Sequence, residues 1–182
     1  MGNRLTKIFT KKGDDGSTDI GGNQRVPKYD QTIQVYGSID ELSAAIGLIT
    51  TEEKIPIHIL DFLNGVQQNL FNISGEISAP QFQSIDENKV TAIEIFIDEL
   101  NEKLPALKDF VVPGVNKSSA FTHQSRAICR RAERELFKLA EEKEVNKQSL
   151  KYINRLSDAF FVIARTLARE VGEETIWDHE RK

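Results

Sequence analysis

The sequence is poor in cysteine and has no excess of positive charge. Its 182 residues include one cysteine, Cys129, and 28 acidic against 24 basic side chains, for a formal net charge of −4. A single cysteine excludes an internal disulfide framework and a multi-cysteine zinc site, and it is typical of a reducing compartment. The acidic balance disfavours general nucleic-acid binding, because neutralising phosphates along a duplex requires a basic face. We therefore expect a cytoplasmic protein that does not bind nucleic acid.

A long hydrophobic run is also missing. No apolar segment approaches the roughly 20 residues that a membrane-spanning helix needs, and the first ten residues are too short and too polar for a secretory signal. A composition of 39% hydrophobic and 29% charged residues suits one domain with one core at this chain length. We expect a single domain and no membrane partner.

Several familiar catalytic and metal-binding motifs are absent. There is no H-E-x-x-H, C-x-x-C or G-x-S-x-G, so zinc hydrolysis, dithiol redox chemistry and a hydrolase nucleophile elbow have no support. A di-iron bundle would need Glu-x-x-His, but Ile55, Ala120 and Ile176 stand three residues before the three histidines. The Walker spacing and a G-x-G-x-x-G before a helix are missing too. We predict no metal site formed by protein ligands.

Five segments show the three- and four-residue spacing of apolar residues that is typical of amphipathic helices. We predict helices over about 30–49, 58–77, 86–104, 118–144 and 148–171. Ser118 or Ser119 is the expected N-cap of the fourth helix, because a serine hydroxyl accepts a hydrogen bond from a first-turn amide. Little strand signal remains elsewhere. The pattern therefore predicts an all-α fold, a five-helix antiparallel bundle with an ordered N-terminal glycine-rich loop.

The single domain expected over residues 1–182 has three parts. A loop occupies residues 1–29, the helical bundle occupies 30–172, and a charged tail occupies 173–182. We find no internal repeat, low-complexity tract or linker that would divide the chain further.

The loop between Thr10 and Lys28 is rich in glycine and has no helical periodicity. Glycines at positions 13, 16, 21 and 22 permit positive φ and close approach of the backbone to a ligand. Lys11, Lys12 and Lys28 supply positive charge. Flexible backbone beside lysines suits the binding of a polyphosphate. A plain surface loop has the same composition, so the loop alone leaves both interpretations open.

The second polar cluster is a run of four arginines within nine residues. Their spacing places three of them in one stripe on the fourth helix: Arg126, Arg130 and Arg134. Glu133 is adjacent to this stripe, whereas Arg131 points elsewhere. Three guanidinium groups in one stripe repel one another unless acidic side chains or an anionic ligand compensate. The stripe therefore indicates either an anion site or a solvated charged face.

Polar residues also interrupt two other helices. Asn154 and Asp158 share a face of the otherwise apolar fifth helix, and Asn154 is expected to be partly buried. Asp40 and Glu41 on the first helix either complement an arginine of the fourth helix or interact with the helix dipole. His123, one turn before the arginine stripe, either lines a site or is structural.

Five ordered blocks of this sequence resemble those of the PduO-type ATP:corrinoid (cob(I)alamin) adenosyltransferases. The blocks are IFTKKGDDGST at 8–18, YGSIDELS at 36–43, FVVPG at 110–114, CRRAER at 129–134 and YINRLSD at 152–158. Together they extend over nearly the whole chain and include every polar cluster described above. The resemblance implies a five-helix bundle that assembles as a homotrimer, with ATP bound between adjacent subunits.

The resemblance also implies a reaction. Co(I) of a reduced corrinoid attacks the 5′-carbon of ATP, which gives adenosylcobalamin and triphosphate, so the protein supplies no nucleophile. ATP, Mg²⁺ carried by its phosphates and the corrinoid are the implied small molecules, and a flavin-dependent reductase is a candidate electron donor. Two alternatives stay open: a non-catalytic ATP or corrinoid sensor on the same bundle, and a helical module whose arginine stripe binds an acidic protein.

The resemblance finally implies roles for particular residues. The residues expected to bind the nucleotide are Thr10, Lys11, Gly13, Thr18, Lys28, Arg130, Glu133, Arg134 and Asn154. Arg126 and Asp40 are expected to bridge subunits beside the site, and Phe110 to lie over the corrin and help displace its lower axial ligand. Val26 stands where the family often has arginine, and Val115 where it often has glycine or another small residue.

Overall fold

The structure is a computed structural model that describes residues 8–21 and 24–180. Its five helices are α1 Gln31–Thr50, α2 Ile57–Ser78, α3 Glu87–Asn101, α4 Lys117–Glu142 and α5 Lys147–Arg169. Two short strands precede them, β1 Ser17–Asp19 and β2 Arg25–Pro27, which pair antiparallel. The predicted five-helix fold is confirmed, and α3 ends three residues before the predicted position. The small β-hairpin was not predicted from the sequence.

Helix α4 packs against both α1 and α5, while α3 packs against α5 and α2 against α1. Contacts between α4 and α5 pair the beginning of one helix with the end of the other. Asn116 bonds to Leu167, whereas Cys129 approaches the carbonyl of Ile153, so these helices run antiparallel. Among the described residues, none of the helices combines the length and the apolar character that crossing a membrane would require.

The buried core depends most on α5, which is apolar around much of its circumference. Leu156, Phe160 and Ile163 of this helix are fully buried, and each such side chain contributes about 1.5–3 kcal/mol of hydrophobic free energy. The buried face of α4 is different, because its first half carries small residues such as Ser119, Ser125 and Cys129. Small residues there let α4 pack closely, and the arginine stripe remains on its outer side.

The N-cap of α4 is Asn116, so the predicted serine cap is wrong. The Asn116 Oδ1 accepts hydrogen bonds from the Ser119 amide (2.8 Å) and the Ser118 hydroxyl (2.9 Å), and its Nδ2 donates to the Leu167 carbonyl (2.7 Å). Both serines therefore lie inside the first turn. The asparagine side chain accepts from the first turn of α4 through Oδ1 and donates to α5 through Nδ2, so one residue both caps α4 and binds α5.

We expect the substitution Asn116→Ala to lower the free energy of unfolding by about 1–3 kcal/mol, because it removes the cap and the bond to Leu167. Denaturant unfolding at a fixed protein concentration measures this change. Asn116→Asp is the matched control, because it keeps the capping oxygen and loses only the donor to Leu167. It should therefore lose less stability. Equal stability of the alanine variant and the wild type would contradict the assignment of Asn116 as the cap.

The chain after α5 contacts the loop that precedes α4. The Trp177 amide donates to the Phe110 carbonyl (2.7 Å), and the Val112 amide donates to the Thr175 carbonyl (2.8 Å). We call residues 174–177 the C-terminal strap. Part of the segment that was expected to be a charged tail is thus bonded to the rest of the protein, and the last two residues of that segment lie outside the described residues.

Candidate active site

Four of the predicted nucleotide-binding residues line one open cavity on the outer side of α4 and α5. The cavity has a volume of about 520 Å³ and is lined by Arg130, Glu133, Arg134, Phe137, Lys138, Glu141 and Asn154. We call it the arginine cavity. Lys138 continues the four-residue spacing of Arg130 and Arg134, so three cations face the same side as only two carboxylates. This excess of positive charge suits an anionic ligand.

A chain of hydrogen bonds holds the floor of the arginine cavity. Asn154 Nδ2 donates to Glu133 Oε1 (2.7 Å), and Arg155 Nη1 donates to Asn154 Oδ1 (2.6 Å). Arg155 Nε in turn donates to Glu94 Oε1 of α3 (2.9 Å). Both ends of the Asn154 amide therefore have partners that fix its orientation. Asn154 is half-buried, as expected.

Arg134 is held along the helix while keeping further donors. Its Nη1 donates to the carbonyl oxygen of Arg130 (3.0 Å). A guanidinium group has five N–H donors, so this bond leaves several that can contact a ligand. Arg130 is exposed on the same side. The pair can therefore grip an oxyanion from two successive turns of α4.

Arg131 points to another face, as the spacing predicted, and forms an ion pair with Glu41 of α1. One member of the acidic pair on α1 thus complements an arginine of α4. Asp40 lies exposed beside Glu41. Among the described residues of one chain, no hydrogen bond or ion pair joins Asp40 to Arg126.

A second cavity, of about 720 Å³, includes the other end of the arginine stripe. Its lining residues are Leu107, Lys108, Asp109, Phe110, Val111, Pro113, His123, Arg126, Ala127 and Phe161. We call it the Phe110 cavity. Two of the predicted site residues, Phe110 and Arg126, thus line the same cavity. Phe110 is 77% exposed, so its ring can contact a large apolar ligand.

One wall of the Phe110 cavity is formed by Arg126 and the rings of His123 and Phe161. The Arg126 guanidinium lies 5.2 Å from the centroid of the Phe161 ring, and the His123 ring meets Phe161 edge-on at 6.2 Å. Burial and then the Arg126 charge lower the pKa of His123, against a smaller opposing effect of Glu174. Both effects favour the neutral form of the His123 ring. Arg126 Nε is buried without a hydrogen-bond partner among the described residues.

The N-terminal loop is held together by Arg25, which was not among the predicted site residues. Arg25 on β2 donates through Nη2 to the carbonyl of Lys12 (2.7 Å) and through Nε to the Ser17 hydroxyl (3.0 Å). Val26, the next residue of β2, is buried. Arg25 was missed because it stands alone between two turns in the sequence. Its contacts form only when the hairpin folds. Gly22 lies outside the described residues.

Lys28 and Gly13 meet within this hairpin. A Cβ on Gly13 would lie 3.3 Å from Lys28 Nζ and 3.2 Å from the Ser17 carbonyl oxygen. The Lys28 amide also donates to the carbonyl of Gly16 (2.9 Å), a residue with a φ of 81°. Glycine at position 13 therefore allows the ammonium group to approach the loop backbone.

The other predicted loop residues occupy different parts of the hairpin. Thr10 and Lys11 are exposed before it, and Lys11 has the left-handed φ of 60° that is uncommon for a non-glycine residue. Thr18 is half-buried in β1, opposite Val26. The residues lining the arginine cavity come from α4 and α5 alone. One chain therefore collects the predicted nucleotide residues in two groups, the hairpin and the arginine cavity.

The described residues contain no group of three or more His, Cys, Asp or Glu side chains that could hold a metal ion.

Lys138 and Phe137 also line the arginine cavity and were not among the predicted site residues. Lys138 could have been found, because it extends the four-residue spacing of the stripe by one more turn.

Comparisons with known proteins agree with the fold and the blocks. A sequence model described as Cobalamin adenosyltransferase matches residues 8–167. The chain is 39% identical over 183 residues to a cobalamin adenosyltransferase of Cupriavidus metallidurans, with 100% of both chains covered. It is 36% identical over 174 residues to a corrinoid adenosyltransferase of Mycobacterium tuberculosis, covering 91% of this chain and 90% of that protein.

A solved structure gives the same result. The fold matches a phenylalanine-to-histidine variant of a PduO-type ATP:corrinoid adenosyltransferase from Lactobacillus reuteri, complexed with cobalamin and ATP. The TM-score is 0.89 at 32% sequence identity, with 96% of this chain and 98% of that chain covered. The family resemblance drawn from the five blocks is thus confirmed, and the chain belongs to the cobalamin adenosyltransferase family.

Proposed function

We propose that this protein transfers the 5′-deoxyadenosyl group of ATP to the Co(I) centre of a reduced corrinoid. The observation that carries the proposal is the pair of cavities along one arginine stripe. The arginine cavity is cationic and suits a triphosphate, and the Phe110 cavity is aromatic and suits a corrin ring. The related Lactobacillus reuteri protein, whose structure contains cobalamin and ATP, supports the same pair of substrates.

The bond changes are simple, and the protein supplies charge and position. The electron pair of Co(I) forms the bond to the 5′-carbon of ATP, and the bond from that carbon to the phosphate oxygen breaks. Triphosphate leaves with the electrons of that bond, so no protein acid or base is required. Arg130 and Arg134 stabilise the charge that develops on the leaving group. Holding the 5′-carbon in line with cobalt supplies the remaining acceleration.

We propose that two subunits of a homotrimer complete the nucleotide site. The hairpin of one subunit would bring its nucleotide-binding residues to the arginine cavity of the next: Thr10, Lys11, Gly13, Thr18 and Lys28. This arrangement is supported by the lining of the arginine cavity, to which the described residues of the chain's own hairpin do not contribute. Asp40 and Arg126 would bridge the same subunits, since Asp40 is exposed and the Arg126 Nε is buried with no partner among the described residues.

Mg²⁺ would enter with ATP and be held through the phosphates, because the described residues offer no carboxylate cluster for it. We also propose that the protein is cytoplasmic and that a flavin-dependent reductase supplies the Co(I) state of the corrinoid. The free, buried Cys129 is consistent with a reducing compartment.

Phe110 would act on the corrinoid side of the reaction. An exposed ring at the cavity wall can occupy the space below cobalt and keep a replacement axial ligand away. Loss of the lower ligand makes a Co(II) corrinoid easier to reduce to the nucleophilic Co(I) state. The His123 and Phe161 rings would form the adjoining wall of the cavity.

The function is tested by anaerobic incubation with chemically reduced cobalamin and MgATP. We expect an absorbance change from cobalt alkylation and release of one triphosphate for each adenosylcobalamin formed. Binding of both substrates without adenosylcobalamin would favour the sensor alternative. Absence of ATP binding in calorimetry would favour the module that binds an acidic protein.

We expect Gly13→Ala to weaken ATP binding by about 10-fold, because the added methyl group displaces Lys28 or strains the loop backbone by 1–2 kcal/mol. Calorimetric titration with MgATP measures the effect. Gly65→Ala on α2 is the matched control, since a Cβ there meets no atom within 4 Å. Unchanged ATP affinity in the Gly13 variant would show that the approach of Lys28 to this glycine does not serve the nucleotide.

We expect Asp40→Ala to weaken trimer assembly and lower turnover by about 10-fold or more, because it would leave the Arg126 charge unpaired at the subunit boundary. Sedimentation and the anaerobic assay, at equal protein concentrations, measure the two effects. Glu41→Ala is the control, since Glu41 pairs with Arg131 within its own chain. An intact trimer with wild-type kinetics in the Asp40 variant would remove the bridge from the account.

A further inference from the structure

The C-terminal strap begins with a buried ion pair. The Glu174 side chain is 4% exposed and the Arg165 side chain on α5 is 3% exposed. Arg165 donates through Nε to Glu174 Oε1 (2.7 Å) and through Nη2 to Oε2 (3.1 Å), which is the bidentate geometry that gives such pairs strength and direction. Arg169 adds a contact of 3.5 Å to the same carboxylate. The strap is therefore fixed to α5 at its first residue.

The same guanidinium also holds the loop before α4. Arg165 Nη2 donates to the carbonyl of Pro105 (2.7 Å), where the loop of residues 105–115 begins. We call this segment the Phe110 loop. One buried arginine thus binds both the strap and the start of the loop. Its guanidinium carbon lies 6.0 Å from the centroid of the Phe161 ring, in the wall of the Phe110 cavity.

Beyond Glu174, the strap follows the loop as a short antiparallel pair. The two amide bonds to Phe110 and Thr175 described above flank a bridge between Val111 and Ile176. The Phe110 and Trp177 rings then meet edge-on, with centroids 6.2 Å apart. The backbone of Phe110 is therefore bonded to the strap while its ring stays exposed to the cavity.

We propose that the C-terminal strap positions Phe110 for the corrinoid, and that the Arg165–Glu174 ion pair is its anchor. This inference rests on the proposed function, because the corrinoid is the ligand that Phe110 would contact. Glu174 and Trp177 are positioning residues, since they act through Phe110. The Phe110 loop belongs to neither helix nor strand, so the place of its ring depends on these bonds. The corrinoid side of the site should need the strap, and the ATP side should not.

The test compares Glu174→Gln with Glu173→Gln, a control that removes a charge from the exposed neighbouring residue. Trp177 is the single tryptophan of the chain, so its fluorescence reports directly on the strap. We expect the Glu174 variant to shift the emission to longer wavelength and to weaken cob(II)alamin binding by about 10-fold or more, since small displacements of positioning groups have large effects. MgATP affinity should stay at the wild-type value in both variants.

A second variant covers the case in which Glu174→Gln does not fold. Trp177→Ala leaves the buried ion pair intact and removes the ring beside Phe110, so it should also weaken cob(II)alamin binding and leave MgATP affinity unchanged. The proposal is overturned if Trp177→Ala binds cob(II)alamin like the wild type, or if the Glu174 variant shifts the emission without weakening that binding. A wild-type protein that binds cob(II)alamin but does not adenosylate it would contradict the proposed function and leave this test valid.

Discussion

Arg130→Ala is expected to lower the rate of adenosyl transfer by about 100-fold or more, the usual effect of removing one preorganised donor from a developing anion. Arg130 lines the arginine cavity with Arg134 and Lys138, and the charge it faces grows as triphosphate separates from the 5′-carbon. Its loss should therefore reduce kcat more than ATP affinity. The anaerobic alkylation assay gives kcat, and calorimetry with MgATP gives the affinity.

Two further variants test whether the loss of kcat is specific to the Arg130 guanidinium group. Arg130→Lys keeps the charge but loses the planar fork of donors, so its kcat should lie between those of the alanine variant and the wild type. Arg131→Ala removes the neighbouring arginine, which pairs with Glu41 on another face of α4, and should leave kcat close to the wild-type value. Near-normal turnover in Arg130→Ala would contradict the role of the arginine cavity. Loss of a protein contact together with undetectable ATP binding would favour the acidic-partner alternative.

Phe110→Ala is expected to lower kcat by about 100-fold while ATP affinity stays unchanged, because an axial ligand can then remain on cobalt and hold the corrinoid in a state that is harder to reduce. Phe110 is 77% exposed at the wall of its cavity and does not line the arginine cavity. The absorbance spectrum of cob(II)alamin bound with MgATP should show the retained ligand directly. This spectral change separates a role at cobalt from a general loss of structure.

Phe110→Leu should preserve much of the activity, since it keeps an apolar side chain of similar reach below cobalt. Ile95→Ala on α3, another exposed apolar residue, should change neither the spectrum nor kcat. A Phe110→Ala protein with the kinetics and the cob(II)alamin spectrum of the wild type would show that exclusion of the axial ligand depends on other residues.

The helices could be predicted from the sequence because their apolar residues recur at three- and four-residue steps over four or more turns. The boundary at Asn116 was missed, because Asn116, Ser118 and Ser119 can all cap a helix and the bond that also ties Asn116 to α5 reaches a carbonyl 51 residues further along the chain. The hairpin also escaped prediction. Its strands are three residues long, which is too short for an alternating pattern, and the contacts of Arg25 hold it together.

In the site, too, groupings within one helix could be predicted, whereas contacts between distant segments could not. Arg130 and Arg134 could be grouped from their spacing, because helical geometry alone places them together. The strap could not be predicted, since Glu174 and Trp177 stand in a polar segment that resembles a tail. Their roles come from a buried arginine on α5 and from a loop more than sixty residues earlier in the chain. Long-range pairing of this kind leaves no periodic trace in a sequence.

The most direct test of the account is a crystal structure of the protein grown with excess MgATP. We predict a trimer in which the triphosphate lies against Arg130 and Arg134 of one subunit, while the N-terminal hairpin of the adjacent subunit brings Lys11 and Lys28 to the same phosphates. ATP bound away from the arginine cavity, or a hairpin far from that cavity in every assembly of the crystal, would contradict the account.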